Sequence, residues 1–206
     1  MTRPPSAELR AEFGDIDIYL FDQLLRGRFD GRTRILDAGC GSGRNLPYFL
    51  ARGFDVFAID EDAAAVDAVR RLAAQRAPAL AADRIRHGSL QALPWPDGSM
   101  DAIVCSAVLH FARDRAHFDA MLNDMWRVLA PGGLFFARLA TSIGIEHLIA
   151  EPVGRVRLPD GSTRFVVDEN YLLEKTHALG ATLADPIKTT NVQNQRAMTT
   201  WTLLKR

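Results

Sequence analysis

Residues 35–45 read ILDAGCGSGRN, and the reading of this stretch decides the fold. Apolar residues give way to three alternating glycines, Gly39, Gly41 and Gly43, and a helical pattern, RNLPYFLARG over 44–53, follows at once. A buried strand (TRILDA, 33–38) that turns sharply into a helix sets backbone N–H groups at the carboxyl edge of a sheet, where open α/β folds bind ligands. A plain strand-to-helix turn seldom needs three alternating glycines beside two placed acids.

The spacing departs from the dinucleotide fingerprint GxGxxG, because Arg44 stands where the third glycine belongs. Asp37, two residues ahead of Gly39, would repel a pyrophosphate but suits a ligand end that carries an ammonium group. A second acid, Asp60, ends the next strand, DVFAID (55–60), 17 residues past Gly43. A carboxylate there can accept hydrogen bonds from both hydroxyls of a ribose. An amino acid joined to a ribose without a diphosphate is the chemistry of S-adenosylmethionine.

Working outward, apolar runs alternate with helical patterns, which argues for a parallel sheet flanked by helices. The helix 44–53 is stopped by Gly53, and an Ala-rich helix runs over 61–78 to Pro78. A short strand follows at 84–90 and an apolar one at 100–108. The segment 115–133 places Phe118, Met121, Leu122, Met125, Val128 and Leu129 on one helical stripe, read as core. LFFARLA (134–140) is a fifth strand, and 155–167 is a hairpin turning at Pro159, Asp160 and Gly161. Asp168 caps a helix closed by Gly180, and two strands, 181–190 and 197–206, pair antiparallel at the sheet edge.

Taken in series, ILDAGCGSGRN, Asp60, LPWPDGSMDAIVCSAVLHF and VLAPGGLFF resemble the class I S-adenosylmethionine-dependent methyltransferases over residues 33–140. The resemblance implies an α/β, Rossmann-like three-layer sandwich with a seven-stranded, mostly parallel sheet, one antiparallel C-terminal strand, and helices on both faces. The CGSGRN loop and the terminal strand are similar to the tellurite-resistance group, and LPWPDGSMD to the quinone and metabolite methyltransferases, so the acceptor class implied is only "small molecule".

Carried over by position, the resemblance gives Gly39 and Gly41, with Cys40 between them, a backbone contact to the methionine part. Asp37 orients the ammonium, Asp60 binds the ribose, and Glu61 shares that work. Where the family usually has an acid for the adenine amino group this chain has Ser89, with the Leu90 N–H available to a ring nitrogen. Cys105 and Ser106, ending the fourth strand, lie beside the transferring methyl, although a plain buried thiol also accounts for Cys105. Tyr19, in the N-terminal segment, is a candidate to close over the cofactor, or a packing aromatic.

Methyl transfer from a sulfonium is an in-line displacement that asks mainly for alignment and exclusion of water. His110, just past the fourth strand, is the candidate catalytic base, against the alternative that it packs or caps the next helix. His87, His117, His147 and His177 are read as structural or solvated. No HxxxH, HxH or carboxylate cluster signals a metal.

The 206 residues suit one domain: a helical lid over 1–30, a cofactor-binding core over 33–140, a substrate-side insertion with a hairpin over 142–167, and a C-terminal helix with edge strands over 168–206. Basic and acidic residues balance at 25 each, which gives no field for nucleic acid or anionic lipid. The N-terminus lacks a signal-peptide core, no stretch approaches the roughly 18 apolar residues of a membrane span, and Cys40 and Cys105 form no CxxC. The expectation is a cytoplasmic monomer or homodimer acting on a small molecule. Two other classes stay open: a nicotinamide-dependent oxidoreductase, disfavoured by Arg44, and a regulatory module that binds S-adenosylmethionine without turnover.

Overall fold

Side chains alternate along the central strands between two faces of one sheet, and both faces are covered, so these strands read as unbroken apolar runs. The computed structural model describes residues 5–206. Its strands are β1 (Arg34–Ala38), β2 (Asp55–Asp60), β3 (Ile85–His87), β4 (Met100–Ser106), β5 (Leu129–Thr141), β6 (Gly154–Arg157), β7 (Thr163–Val166), β8 (Ala181–Leu183), β9 (Lys188–Val192) and β10 (Arg196–Lys205). Its α-helices are α1 (Pro5–Phe13), α2 (Ile18–Leu25), α3 (Pro47–Ala51), α4 (Ala63–Arg76), α5 (Arg115–Val128) and α6 (Glu169–Ala178). Among the described residues no helix is long and apolar enough to cross a membrane.

The main sheet has the order β3-β2-β1-β4-β5-β10-β8. β1, β2, β3, β4 and β5 pair in parallel, and β10 runs antiparallel to β5 and β8. Leu36, Phe57, Ile103 and Phe135 face one core with Phe118 and Leu122 of α5 and Leu172 of α6. Ile35, Val56, Ala102 and Leu134 face the other, with Leu20 of α2, Phe49 of α3 and Val66 and Val69 of α4. Each large side chain fully removed from water contributes roughly 1.5–3 kcal/mol. The expected α5 stripe is buried throughout, from Phe118 to Leu129.

Helix starts obey local chemistry. Asp62, Asp114 and Asp168 cap α4, α5 and α6, each accepting a backbone N–H from Ala64, His117 and Tyr171 at 2.8, 2.8 and 2.7 Å. The hairpin forms as expected, β6 against β7, and packs Val156, Leu158 and Val166 over Ala140 and Ala197.

The expected single strand over 181–190 is two, so the main sheet has eight strands rather than seven. Leu183 pairs with Leu203 and Lys188 with Thr200, so residues 184–187 bulge opposite Trp201 and Thr202 alone. Pro186 has no N–H for the ladder, and Asp185 uses the bulge to reach Gln23 at 2.9 Å and Arg28 at 3.2 Å. β3 is also shorter than expected, which releases Ser89 and Leu90 into the loop beyond it.

The strand order reverses on either side of β1. In a doubly wound sheet the crevice beyond the carboxyl ends at that reversal receives the ligand.

Candidate active site

That crevice is a cavity of 690 Å³, within the range of about 300–1,000 Å³ usual for small-molecule sites. The glycine loop, Asp60, Glu61, Leu90 and Ser106 line it together with His110, His117, Arg138 and Arg164.

The loop is held from below, where the Gly39 and Cys40 N–H groups donate to the Ile59 carbonyl at 2.9 and 3.0 Å. Gly39 sits at φ +75°, and a Cβ there would lie 2.5 Å from Val108 Cγ2. Gly41, at φ +51°, is different: a Cβ on it would meet nothing within 4 Å, so the middle of the loop faces open space. Its N–H donates to Asp60 Oδ2 at 2.8 Å, while Asp60 Oδ1 accepts the Asp62 N–H at 2.9 Å. A carboxylate has about four lone-pair positions, so two remain for hydroxyl donors.

Asp37 lies beneath this loop, 1% exposed, and its Oδ2 is buried without a hydrogen-bond partner among the described residues. Burial raises its pKa to about 7, against the opposing pull of Arg44. An unpartnered buried carboxylate is costly unless a cation or donor reaches it. The ammonium of an amino acid supplies both, so the residues present fit S-adenosylmethionine: a lone acid for the amine, a spacious glycine loop for the amino-acid part, and a second acid for a ribose.

The thiols take no acid-base part. Burial pushes Cys105 up to about 12 and Cys40 higher still, so neither is a thiolate near neutral pH. Cys40 lines the cavity and Cys105 lies in the core.

The strongest feature that sequence reading missed is Asp17, the residue that caps α2. Its side chain is 1% exposed. Oδ1 accepts the Tyr19 N–H at 3.0 Å; Oδ2 accepts the Ser106 hydroxyl at 3.0 Å and the Arg44 and Arg138 guanidinium groups at 3.3 Å each. Arg44 also donates to Ser106 Oγ at 2.8 Å, and Asn45 Oδ1 accepts the Asp17 N–H at 3.0 Å. One carboxylate therefore fastens α2 to the glycine loop, the end of β4 and the middle of β5. Only the Asp-before-helix pattern was visible in the chain.

His110 is buried on the cavity wall, and Ala140 N–H donates to its Nδ1 at 3.2 Å. The ring proton then resides on Nε2. Burial first, then the charges of Arg164 and Arg138, lower its pKa to about 4. With one nitrogen engaged by backbone and the other protonated, this imidazole offers a hydrogen bond to the cavity and is poorly set to take a proton. His117, read from sequence as structural or solvated, also lines the cavity: its Nδ1 accepts the Arg113 N–H at 3.1 Å, and its Nε2 is buried without a partner.

Tyr19 and Ser89 are not brought to the cavity. The Tyr19 hydroxyl bonds Thr190 Oγ1 on β9 and its ring lies under Arg138 at 4.9 Å, while Ser89 Oγ turns back to the Gln91 N–H at 3.3 Å. Both are occupied by local or structural partners. At the end of β4, Ala107 holds φ +65°, a left-handed conformation rare outside glycine, and its N–H donates to the Arg138 carbonyl at 2.7 Å.

Residues 36–137 match the sequence family described as a methyltransferase domain. Over 113 residues the chain is 38% identical to the "Probable S-adenosylmethionine-dependent methyltransferase" of Mycolicibacterium smegmatis, covering 55% of this chain and 40% of that protein. The chain therefore spans about two fifths of the length of that relative. Among solved structures, the 1,6-didemethyltoxoflavin-N1-methyltransferase of Burkholderia thailandensis, with bound S-adenosylhomocysteine, has a TM-score of 0.66 at 19% identity, over 97% of this chain and 86% of that one. The (4+2)-cyclase SpnF has a TM-score of 0.67 at 20% identity, over 91% and 80%. At these identities the structural likeness is one of fold.

The sheet order, the glycine loop and the paired acids define a Rossmann-like nucleotide-binding protein. Within that class, residues 36–137 match a methyltransferase domain, and the chain is similar in sequence to S-adenosylmethionine-dependent methyltransferases.

Proposed function

We propose that this protein transfers the methyl group of S-adenosylmethionine to a small-molecule acceptor. The observation that carries the proposal is the unpartnered buried Asp37 carboxylate beneath an open glycine loop whose centre is held by Asp60. Asp37 binds the ammonium, Asp60 with Glu61 the ribose, and the Leu90 backbone the adenine. Bound there, the sulfonium supplies an electrophilic methyl that needs no activation by the protein. Ser106, engaged by Asp17 and Arg44, shapes the wall nearest the loop.

On this reading His110 orients the acceptor through its Nε2 proton, and Asp17, by fastening α2 to Arg44, Ser106 and Arg138, steadies the wall of the site. The domain division into lid, core, substrate-side insertion and edge strands follows from these roles. The balanced charge supports a small acceptor over nucleic acid, and our reading includes a cytoplasmic monomer or homodimer.

The test pairs calorimetry with S-adenosylmethionine, S-adenosylhomocysteine and NAD with labelled methyl transfer to a metabolite extract. The expected result is tight binding of the first two and a labelled product. NAD binding alone would identify an oxidoreductase; S-adenosylmethionine binding without any labelled product would identify a binding module.

A further inference from the structure

Four arginines, Arg44, Arg138, Arg164 and Arg196, line the cavity. Asp17 is shared by Arg44 and Arg138, and Asp160 pairs with Arg196 at 3.5 Å. Arg164 is in ion-pair contact with no carboxylate among the described residues; its guanidinium lies 4.9 Å from the centre of the Phe111 ring, on the cavity wall. Of these four guanidinium groups, Arg164 is the one with no carboxylate partner among the described residues.

Arg164 donates to the Thr163 carbonyl at 2.8 Å, and Arg138 keeps one donor without a partner among the described residues. Arg138 is 21% exposed, with its Nε buried and unpaired. His110 lies within the fields of both Arg138 and Arg164, which help to keep it neutral. Three side chains from β5, β7 and the turn after β4 thus present a guanidinium edge, a second guanidinium and an imidazole N–H. Around them Phe111, Met121, Ala140, Leu158 and Met198 supply an apolar lining. A desolvated guanidinium with an idle N–H favours an anion, because charge-assisted hydrogen bonds then replace lost hydration.

We infer that the acceptor is an apolar small molecule bearing a carboxylate, which seats between Arg138 and Arg164 against His110. The inference rests on the methyltransferase reading for the word acceptor, and on the cavity alone for the anion site. The apolar lining favours a carboxylate carried on an apolar skeleton over inorganic phosphate, which has no apolar surface to bury.

The test reads the arginine side chains directly. In protein saturated with S-adenosylhomocysteine, the ¹⁵N-labelled arginine Nε–H resonances are followed during titration with sodium formate and benzoate, and with formamide and benzamide as neutral counterparts, at constant ionic strength. Saturable shifts of Arg138 and Arg164 by the carboxylates are expected, with affinity about tenfold above the amides. Arg164→Gln should abolish that preference while S-adenosylhomocysteine affinity stays within about twofold. Equal response to amide and carboxylate, no saturable response, or a preference that survives Arg164→Gln overturns the inference. Tighter binding of inorganic phosphate than of either carboxylate also overturns it. Failure to bind S-adenosylhomocysteine would sink the methyltransferase reading instead, and the same titrations on the protein alone would still judge the anion site.

Discussion

Asp60 Oδ2 accepts the Gly41 N–H at 2.8 Å, so the acid that ends β2 holds the centre of the glycine loop across the first crossover. One carboxylate therefore shapes the loop and, in the function proposed above, also binds the ribose. Asp60→Ala is expected to weaken S-adenosylmethionine binding by roughly 1.5–3 kcal/mol, the scale of losing charge-assisted hydrogen bonds. Calorimetry reads the loss, and unchanged affinity would remove Asp60 from the site.

Gly39 and Gly41 should separate folding from binding. Gly39→Ala drives a Cβ to 2.5 Å from Val108 at φ +75°, so a stability loss of about 2–4 kcal/mol is expected in urea unfolding. Val108→Ala in the same chain should recover part of it. Gly41→Ala meets open space at φ +51°, so it should cost only about 1 kcal/mol of stability and weaken cofactor binding more than Gly39→Ala does per unit of stability lost.

Asp37 sets a proton linkage. Its pKa is about 7 in the folded chain against 3.8 for an ordinary Asp, so between those values the folded state holds the extra proton and stability falls as pH rises. An ammonium ligand favours the ionised form. Binding of S-adenosylmethionine near pH 6 should therefore release a proton, seen as a dependence of calorimetric enthalpy on buffer ionisation heat. Asp37→Asn should remove the release and weaken binding; proton release that persists in Asp37→Asn assigns the linkage elsewhere.

His110 works in the opposite sense. Its pKa drops from 6.5 to about 4 on folding, so the unfolded chain binds the proton first and stability is lost as pH falls through that window, by up to about 3 kcal/mol. His110→Asn keeps an acceptor for the Ala140 N–H without a titrating ring. The difference in unfolding free energy between the two proteins should grow in favour of Asn as pH drops from about 7 to 4. A constant difference would contradict the buried, neutral imidazole.

Asp17→Ala should loosen the N-terminal helices. It strips the α2 cap and leaves Arg44, Arg138 and Ser106 without their shared acceptor, an expected loss of about 2–4 kcal/mol with faster proteolysis within residues 5–25. Asp17→Asn, which can still cap, should lose about 1 kcal/mol less. Equal stability of all three proteins would show that the cluster fastens nothing.

Period and punctuation determined much of this protein. Apolar runs at strand length, the apolar stripe from Phe118 to Leu129, the cap Asp168 and the turn at Pro159 to Gly161 each depend on neighbours a few residues away, so they were legible in the chain. The same holds for ILDAGCGSGRN, because a glycine loop between a strand and a helix is a local object. Tertiary structure decided what meets across the crossovers. Asp17 reaches Ser106 and Arg138, 89 and 121 residues away, and no periodicity announces a partner at such distances. It also decided that Tyr19 turns to Thr190, that Ser89 folds back on its own loop, and that His117 and Arg164 enter the cavity wall. The His110 side chain was visible as a candidate, but its protonation was not: burial, the Ala140 N–H and two arginines from distant strands set that together. Local sequence specifies elements because backbone hydrogen bonds and apolar faces are local, whereas the charge and tautomer of a buried group belong to whatever the fold packs around it.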